Sequence, residues 1–214
     1  MDRIFTAVIC MLAVVALVGC RSAYYGMWEK LGYEKRDILV SRVEDAKGEQ
    51  EAAKEQFKTT LERFKDVTNF QGGELESKYR KLNSEYEACV SRADAVSGRI
   101  KSVETVANDL FAEWQKEITE YQNADLRRKS EENLAQTKSR YGQLLEAMKR
   151  AESKMKPVLA AFKDQVLFLK HNLNAQAVAS LQTTAVQIDG DVAELIKDME
   201  ASIAEANSFI SQLK

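Results

Sequence analysis

The spacing of apolar residues constrains this chain more than any other feature. They recur at alternating steps of three and four, the spacing of helices that pack side by side. The clearest run covers residues 75–121, and others cover residues 130–169 and 181–213, with a weaker one at 43–67. One proline and nine glycines in 214 residues leave few signals for strands or hairpins. The sequence therefore predicts an all-α protein.

Interruptions of this spacing predict where the chain turns. Residues 71–73, Gln-Gly-Gly, form the expected first corner. When the alternating spacing of three and four is continued beyond residue 121, it falls mostly on polar residues. Residues 122–125 are therefore predicted to form a turn, with Asp125 or Ser130 as the N-cap of the next helix.

The third corner contains two asparagines with different expected roles. Asn172 is expected to end one helix in the left-handed conformation, and Asn174 to cap the next. Short connections place consecutive helices antiparallel, with the N-terminal segment, the second corner and the C-terminus at one pole. We predict an elongated antiparallel four-helix bundle or coiled coil, helix three kinked at Pro157, with helices at roughly 35–68, 74–121, 125–171 and 175–213.

The start of the chain has the composition of an export signal. Residues 4–19 carry no Asp, Glu, Lys, Arg or His, and they are fewer than the ~20 apolar residues that a membrane-spanning helix needs. Leu17, Val18 and Gly19, directly before Cys20, resemble the lipobox of bacterial lipoproteins. The resemblance implies that the peptidase recognises these three residues and that Cys20 becomes diacylated and N-acylated. The alternatives are an ordinary secretory signal with a chance cysteine, or an uncleaved anchor.

Acylation would fix the mature protein to a membrane, because three acyl chains hold far more firmly than one. Arg21 follows Cys20 where many inner-membrane lipoproteins carry Asp. By this resemblance to the usual sorting rule we expect the periplasmic face of the outer membrane rather than the inner one. The chain then divides into a removed signal peptide, 1–19, a lipidated Cys and aromatic collar, 20–34, and a helical bundle domain, 35–214.

Aromatic residues are concentrated directly after Cys20. Tyr24, Tyr25, Trp28 and Tyr33 all lie before the first predicted helix. Amphipathic rings favour the headgroup level of a membrane, so these residues are candidates for an interfacial collar. In the alternative, the segment folds back over the end of the bundle as a cap.

Charge is distributed unequally between the last two predicted helices. Residues 124–170 hold eleven Lys or Arg against six Asp or Glu, and residues 175–214 hold two against six. We expect the two helices to complement each other across the bundle. The alternative is that Arg127, Arg128 and Lys129 touch lipid headgroups or another anionic surface, each contributing ~1 kcal/mol.

No residue pattern indicates catalysis or a cofactor. His171, the only histidine, is better explained by a helix end, and Cys89, the only thiol left after processing, falls on a core step. Phosphate loops, zinc motifs and nucleophile elbows are absent from the sequence. A net charge of −2 provides no basic face for nucleic acid. We therefore expect no enzyme activity, cofactor, metal, nucleic acid or small-molecule substrate.

Four stretches resemble an uncharacterised bacterial family, a domain of unknown function typical of Gram-negative lipoproteins. They read "YYGMWEKLGYEKRDILVSRVEDA", "LFAEWQKEITEYQNADLRRKS", "YGQLLEAMKRAESKMKPVLAAFKDQVLFLKHNLNAQAVASL" and "MEASIAEANSFISQL". The resemblance covers nearly all of the mature sequence, and "FLKHNLNAQAVASL" is its most specific part. It implies a lipid-anchored helical envelope protein with no established activity or catalytic residues.

Three functions are compatible with such a chain. The first is a structural or adaptor coiled-coil module that contacts another envelope protein or forms a homodimer. The second is a membrane-binding or membrane-shaping helical dimer resembling BAR domains, which use long, kinked helices with a basic concave face. The third is a periplasmic chaperone or holdase.

Overall fold

A computed structural model describes residues 34–70, 72 and 74–213 of the chain. All regular structure in these residues is helical, which confirms the predicted all-α class. The four helices are α1 (Lys35–Thr68), α2 (Leu75–Ile118), α3 (Ala124–His171) and α4 (Ala175–Leu213).

The helices form a closed bundle. α1 packs against α2 and α4, and α3 packs against the same two helices from the other side. α2 has 44 residues and α3 has 48, so at about 1.5 Å per residue each runs for about 70 Å. The predicted elongated bundle is therefore confirmed.

The two poles of the bundle follow the predicted arrangement. Lys35, the first residue of α1, forms an ion pair with Glu113 near the end of α2. Leu213, the last residue of α4, lines the same cleft as Trp114. The end at which α1 begins is called the proximal pole, and the opposite end, with the α1–α2 and α3–α4 corners, is called the distal pole.

Residues on the predicted stripes fill the interior. Phe57, Phe64, Leu82, Leu144 and Phe162 are all fully buried. The rings of Phe64 and Phe162 meet edge to face, with centroids 6.3 Å apart. The stripe spacing therefore located the core, because residues three and four apart face the same neighbour along a helix.

α1 and α4 keep one antiparallel register over a long stretch. Lys54 Nζ lies 3.4 Å from Glu200 Oε1, and Lys65 Nζ lies 2.6 Å from Asp189 Oδ1. The two lysines and the two acids are each separated by eleven residues. The pairs are largely exposed and contribute little stability, but their equal spacing shows that the register does not slip.

A buried polar contact lies between the same two helices. The Ser202 hydroxyl donates to Gln50 Oε1 at 2.9 Å, and both residues are fully buried. Gln50 Nε2 has no partner among the described residues. Because any slip of the helices would leave both groups unpaired, the contact favours the observed register.

The second corner differs from the prediction in its details. α2 ends at Ile118 rather than at residue 121, so Tyr121 is 40% exposed instead of buried. Asn123, not Asp125 or Ser130, is the N-cap of α3: its side chain accepts from the backbone N–H of Asp125 at 2.9 Å. Ser130 instead accepts a 2.9 Å hydrogen bond from Trp114 Nε1, which joins α2 to α3.

The third corner confirms one predicted cap and corrects the other. Asn174 Oδ1 accepts from the backbone N–H of Ala177 at 2.9 Å, as an N-cap does. Asn172 is not left-handed, since its φ is −133°. Its Nδ2 donates to Phe168 O at 2.9 Å, and this bond satisfies a terminal carbonyl without a left-handed residue.

Pro157 lies inside α3, which continues through it from Ala124 to His171. Proline has no N–H, so it cannot bond the carbonyl of Ser153 one turn earlier. The bend expected here stays a prediction.

Candidate functional site

A cleft at the proximal pole lies where the N-terminal segment joins the bundle. Its volume is about 430 Å³, within the size range of small binding pockets. Glu34, the residue that follows the collar's aromatic segment, is part of its wall. The lining combines apolar and charged residues: Leu110, Trp114 and Leu213, with Glu34, Lys35, Arg36, Glu113 and Glu117.

The predicted processing, lipidation and collar residues lie outside the described residues. Their assignments therefore stay predictions. They are Leu17, Val18, Gly19, Cys20, Tyr24, Tyr25, Trp28 and Tyr33.

The predicted basic cluster lies at the proximal pole, as expected. Arg127, Arg128 and Lys129 occupy the first turns of α3 and are exposed. Arg128 Nη2 lies 3.4 Å from Asp125 Oδ1, a solvated pair of small energetic value. Acidic residues follow directly at 131 and 132. The corner therefore presents mixed charge rather than a purely basic surface.

Basic residues in the middle of α3 form ion pairs with acidic residues of α4. Lys154 Nζ lies 2.9 Å from Asp198 Oδ2 and 3.1 Å from Glu194 Oε2, both on α4. The carboxylates of Asp198 and Glu194 beside its ammonium group raise the pKa of Lys154. Arg150 also contacts Asp198, at 3.5 Å. The expected complementarity between the third and fourth helices is confirmed here.

Cys89 has the environment of a core residue rather than a nucleophile. It is fully buried, and burial raises the pKa of its thiol to about 12. Beside it, Thr60 donates to the backbone carbonyls of Gln56 and Glu85, at 2.9 and 3.1 Å. A neutral thiol in such a site is inert at physiological pH.

The distal pole carries exposed apolar residues that the sequence interpretation did not single out. Leu167 is 48% exposed, Phe168 41% and Leu173 38%. These three residues are called the distal apolar patch. The available signal was the run "VLFL" at residues 166–169. Four consecutive apolar residues cannot all face a core on one side of a helix.

The chain matches, over residues 24–213, the family described as "Protein of unknown function (DUF2959)". The chain belongs to this family. The sequence resemblance to a family of unknown function is thereby confirmed. No curated protein and no solved structure matches the chain.

The extent of the DUF2959 match bears on the collar. It begins at residue 24, ten residues before the first described residue. Tyr24, Tyr25, Trp28 and Tyr33 therefore belong to the family's domain rather than to a preceding linker.

The described part of the DUF2959 domain has neither a candidate metal site nor a candidate membrane-spanning helix. Between residues 34 and 213, apart from 71 and 73, no group of three His, Cys, Asp or Glu side chains converges to hold a metal ion. Within the same residues, no helix has the length and apolar character needed to cross a membrane.

Proposed function

We propose that this protein is a lipid-anchored, non-enzymatic structural or adaptor module of the bacterial cell envelope. It is held by acylated Cys20 on the periplasmic face, in the outer membrane rather than the inner one. The observation that carries this proposal is the polarity of the bundle. The N-terminal segment enters at Glu34 on the proximal pole, while the α3–α4 corner lies at the distal pole. The anchored end and the free end are therefore separated by about 70 Å.

The environments of the potentially reactive side chains support a non-enzymatic role. Cys89 is buried with a neutral thiol. His171 is an exposed residue in the last turn of α3, where a basic side chain suits the negative end of the helix dipole. Among the described residues, neither side chain lies beside a partner that would activate it.

The membrane-shaping alternative has less support than the adaptor role. A BAR-like surface needs free basic residues along a concave face. In the middle of α3, however, Arg150 and Lys154 pair with acidic residues of α4. The chaperone alternative has no specific observation in its favour.

The anchoring is tested by metabolic labelling with an alkyne fatty acid, followed by fractionation of the envelope. The wild-type chain should incorporate label and sediment with outer membranes. Cys20→Ala should lose the label and keep its signal segment, whereas the matched variant Cys89→Ala should remain labelled. Label that persists in Cys20→Ala, or wild-type protein that stays unlabelled, would exclude the lipoprotein assignment.

The adaptor role is separated from membrane shaping by electron microscopy of vesicles that carry the full-length protein. An adaptor should leave the vesicles spherical at high protein density. Tubules that disappear in Arg127→Glu/Arg128→Glu/Lys129→Glu would instead favour the BAR-like function.

A further inference from the structure

The distal apolar patch occupies the end of the bundle opposite the N-terminal segment. Leu167 and Phe168 lie in the last two turns of α3, and Leu173 lies in the corner that follows. Single exposed apolar residues are ordinary on protein surfaces. Three large ones within seven residues at one helix end form a local apolar surface.

Three lysines of α3 lie on the same helix as Leu167 and Phe168. Lys156, Lys163 and Lys170 recur every seven residues and are exposed. On a helix this spacing gives one stripe, and Leu167 lies on it between the last two lysines. None of the three forms an ion pair with another described residue, in contrast to Lys154 farther up the helix.

Acidic residues near the patch are few. Residues 172–188, the corner and the first third of α4, contain no charged side chain. Glu74 and Glu76 line a cleft together with Leu173, but Arg80 Nη2 lies 2.5 Å from Glu76 Oε1. Asp164 is exposed in the same part of α3. Lys156, Lys163, Lys170 and Arg80, set against Glu74, Glu76 and Asp164, leave this surface with a formal charge balance of +1.

We infer that the distal apolar patch and its lysine stripe dock on an anionic lipid surface. Leu167, Phe168 and Leu173 enter the boundary between headgroups and acyl chains, while Lys163 and Lys170 bind lipid phosphates. Apolar residues flanked by lysines are the pattern of interfacial lipid contact. Long lysine side chains can place their apolar stems beside the patch and their ammonium groups at the phosphates.

The small size of the patch favours a lipid surface over a protein partner. A stable protein interface buries about 800 Å² on each side and uses about 20 residues. Three partly exposed side chains at a helix end do not supply such an area. Insertion at a membrane surface needs only a few apolar residues with nearby cations.

This inference rests on the proposed function and deepens it, because it identifies the second surface that the anchored module contacts. The test uses full-length protein reconstituted into donor vesicles through its own N-terminal segment. Acceptor vesicles contain either phosphatidylglycerol with phosphatidylcholine or phosphatidylcholine alone. Two readings are taken: the protein that floats with the donors, and the acceptors that the donors capture. The first reading reports anchoring and the second reports the distal contact, so failures of the two proposals are distinguishable.

The wild-type protein should capture anionic acceptors in preference to neutral ones. Lys163→Ala/Lys170→Ala should reduce capture about 30-fold, since each lysine near an anionic surface contributes roughly a fivefold factor. Leu167→Glu/Phe168→Glu should abolish capture. The matched controls at the proximal pole, Tyr121→Glu/Leu126→Glu and Arg127→Ala/Lys129→Ala, should leave it unchanged. All substituted residues are exposed, and circular dichroism verifies that each variant is folded.

Three results would overturn the inference. They are no capture by wild-type donors that carry the protein, equal capture of neutral acceptors, and equal loss in the proximal controls. A photo-crosslinking residue in place of Phe168 tests the occupant in cells. Adducts with phospholipid support the inference, whereas adducts confined to a second copy or another protein contradict it.

Discussion

The middle and the distal end of α3 both carry lysines, but their surroundings differ. In the middle, Lys149 Nζ lies 2.7 Å from Glu104 Oε1 on α2, and Lys154 contacts two acids on α4. At the distal end, Lys163 and Lys170 are exposed, and so is Leu167 between them. A charge count gives both regions the same sign. The acidic residues on the neighbouring helices decide which lysines form ion pairs within the bundle and which do not.

The largest expected effect on stability comes from comparing two phenylalanines of α3 that lie six residues apart, one buried and one partly exposed. Phe162 is fully buried against Phe64, whereas Phe168 is 41% exposed. Phe162→Ala should lower the free energy of unfolding by about 3–5 kcal/mol. Phe168→Ala should lower it by only about 1 kcal/mol, because little more than half of this side chain is covered. Urea unfolding followed by circular dichroism measures both, and similar losses would mean that Phe168 is part of the core.

The next expected effect concerns the buried polar contact in the bundle interior. Ser202→Ala removes the donor to Gln50 Oε1, whose amide nitrogen already lacks a described partner. An unpaired buried group should cost about 1–3 kcal/mol of unfolding free energy. Gln50→Leu/Ser202→Ala should recover most of this loss, because no polar group is left unpaired. A double variant as unstable as the single one would show that packing, not hydrogen bonding, dominates here.

Much of this architecture was predictable from the sequence. Apolar residues at alternating steps of three and four mark the face that each helix buries. The bounds of α1 and α4 and the positions of the poles follow from it. The conformation of Asn172 was not predictable, since an asparagine side chain can satisfy a terminal carbonyl in more than one backbone conformation. Exposure of Leu167 and Phe168 was also missed. Whether a side position of a stripe is covered depends on where the neighbouring helices lie.

A smaller effect on the free energy of unfolding is expected at high pH, from the buried thiol of Cys89. Burial raises the pKa of Cys89 to about 12 in the folded protein, whereas an unfolded cysteine titrates near 8.5. As the pH rises above that value, the unfolded state loses its proton first, so folding becomes less favourable. Between pH 8.5 and 9.5 the wild type should lose roughly 1 kcal/mol more than Cys89→Ala does. Equal slopes in the two unfolding series would mean that the thiol titrates normally and is accessible.

The smallest expected effect on stability concerns two lysines of α3, Lys154 and Lys163. Lys154→Ala removes contacts to Glu194 and Asp198, so the midpoint of urea unfolding should fall slightly. Lys163→Ala removes no ion pair within the described structure, and its midpoint should match that of the wild type. In 1 M salt, where the Debye length is about 3 Å, the difference between the two variants should shrink only in part, because the Glu194 side chain is exposed whereas that of Asp198 is 16% exposed. A loss at Lys163 that persists in salt would assign this lysine a packing role in the bundle, which would remove it from the surface available for lipid phosphates.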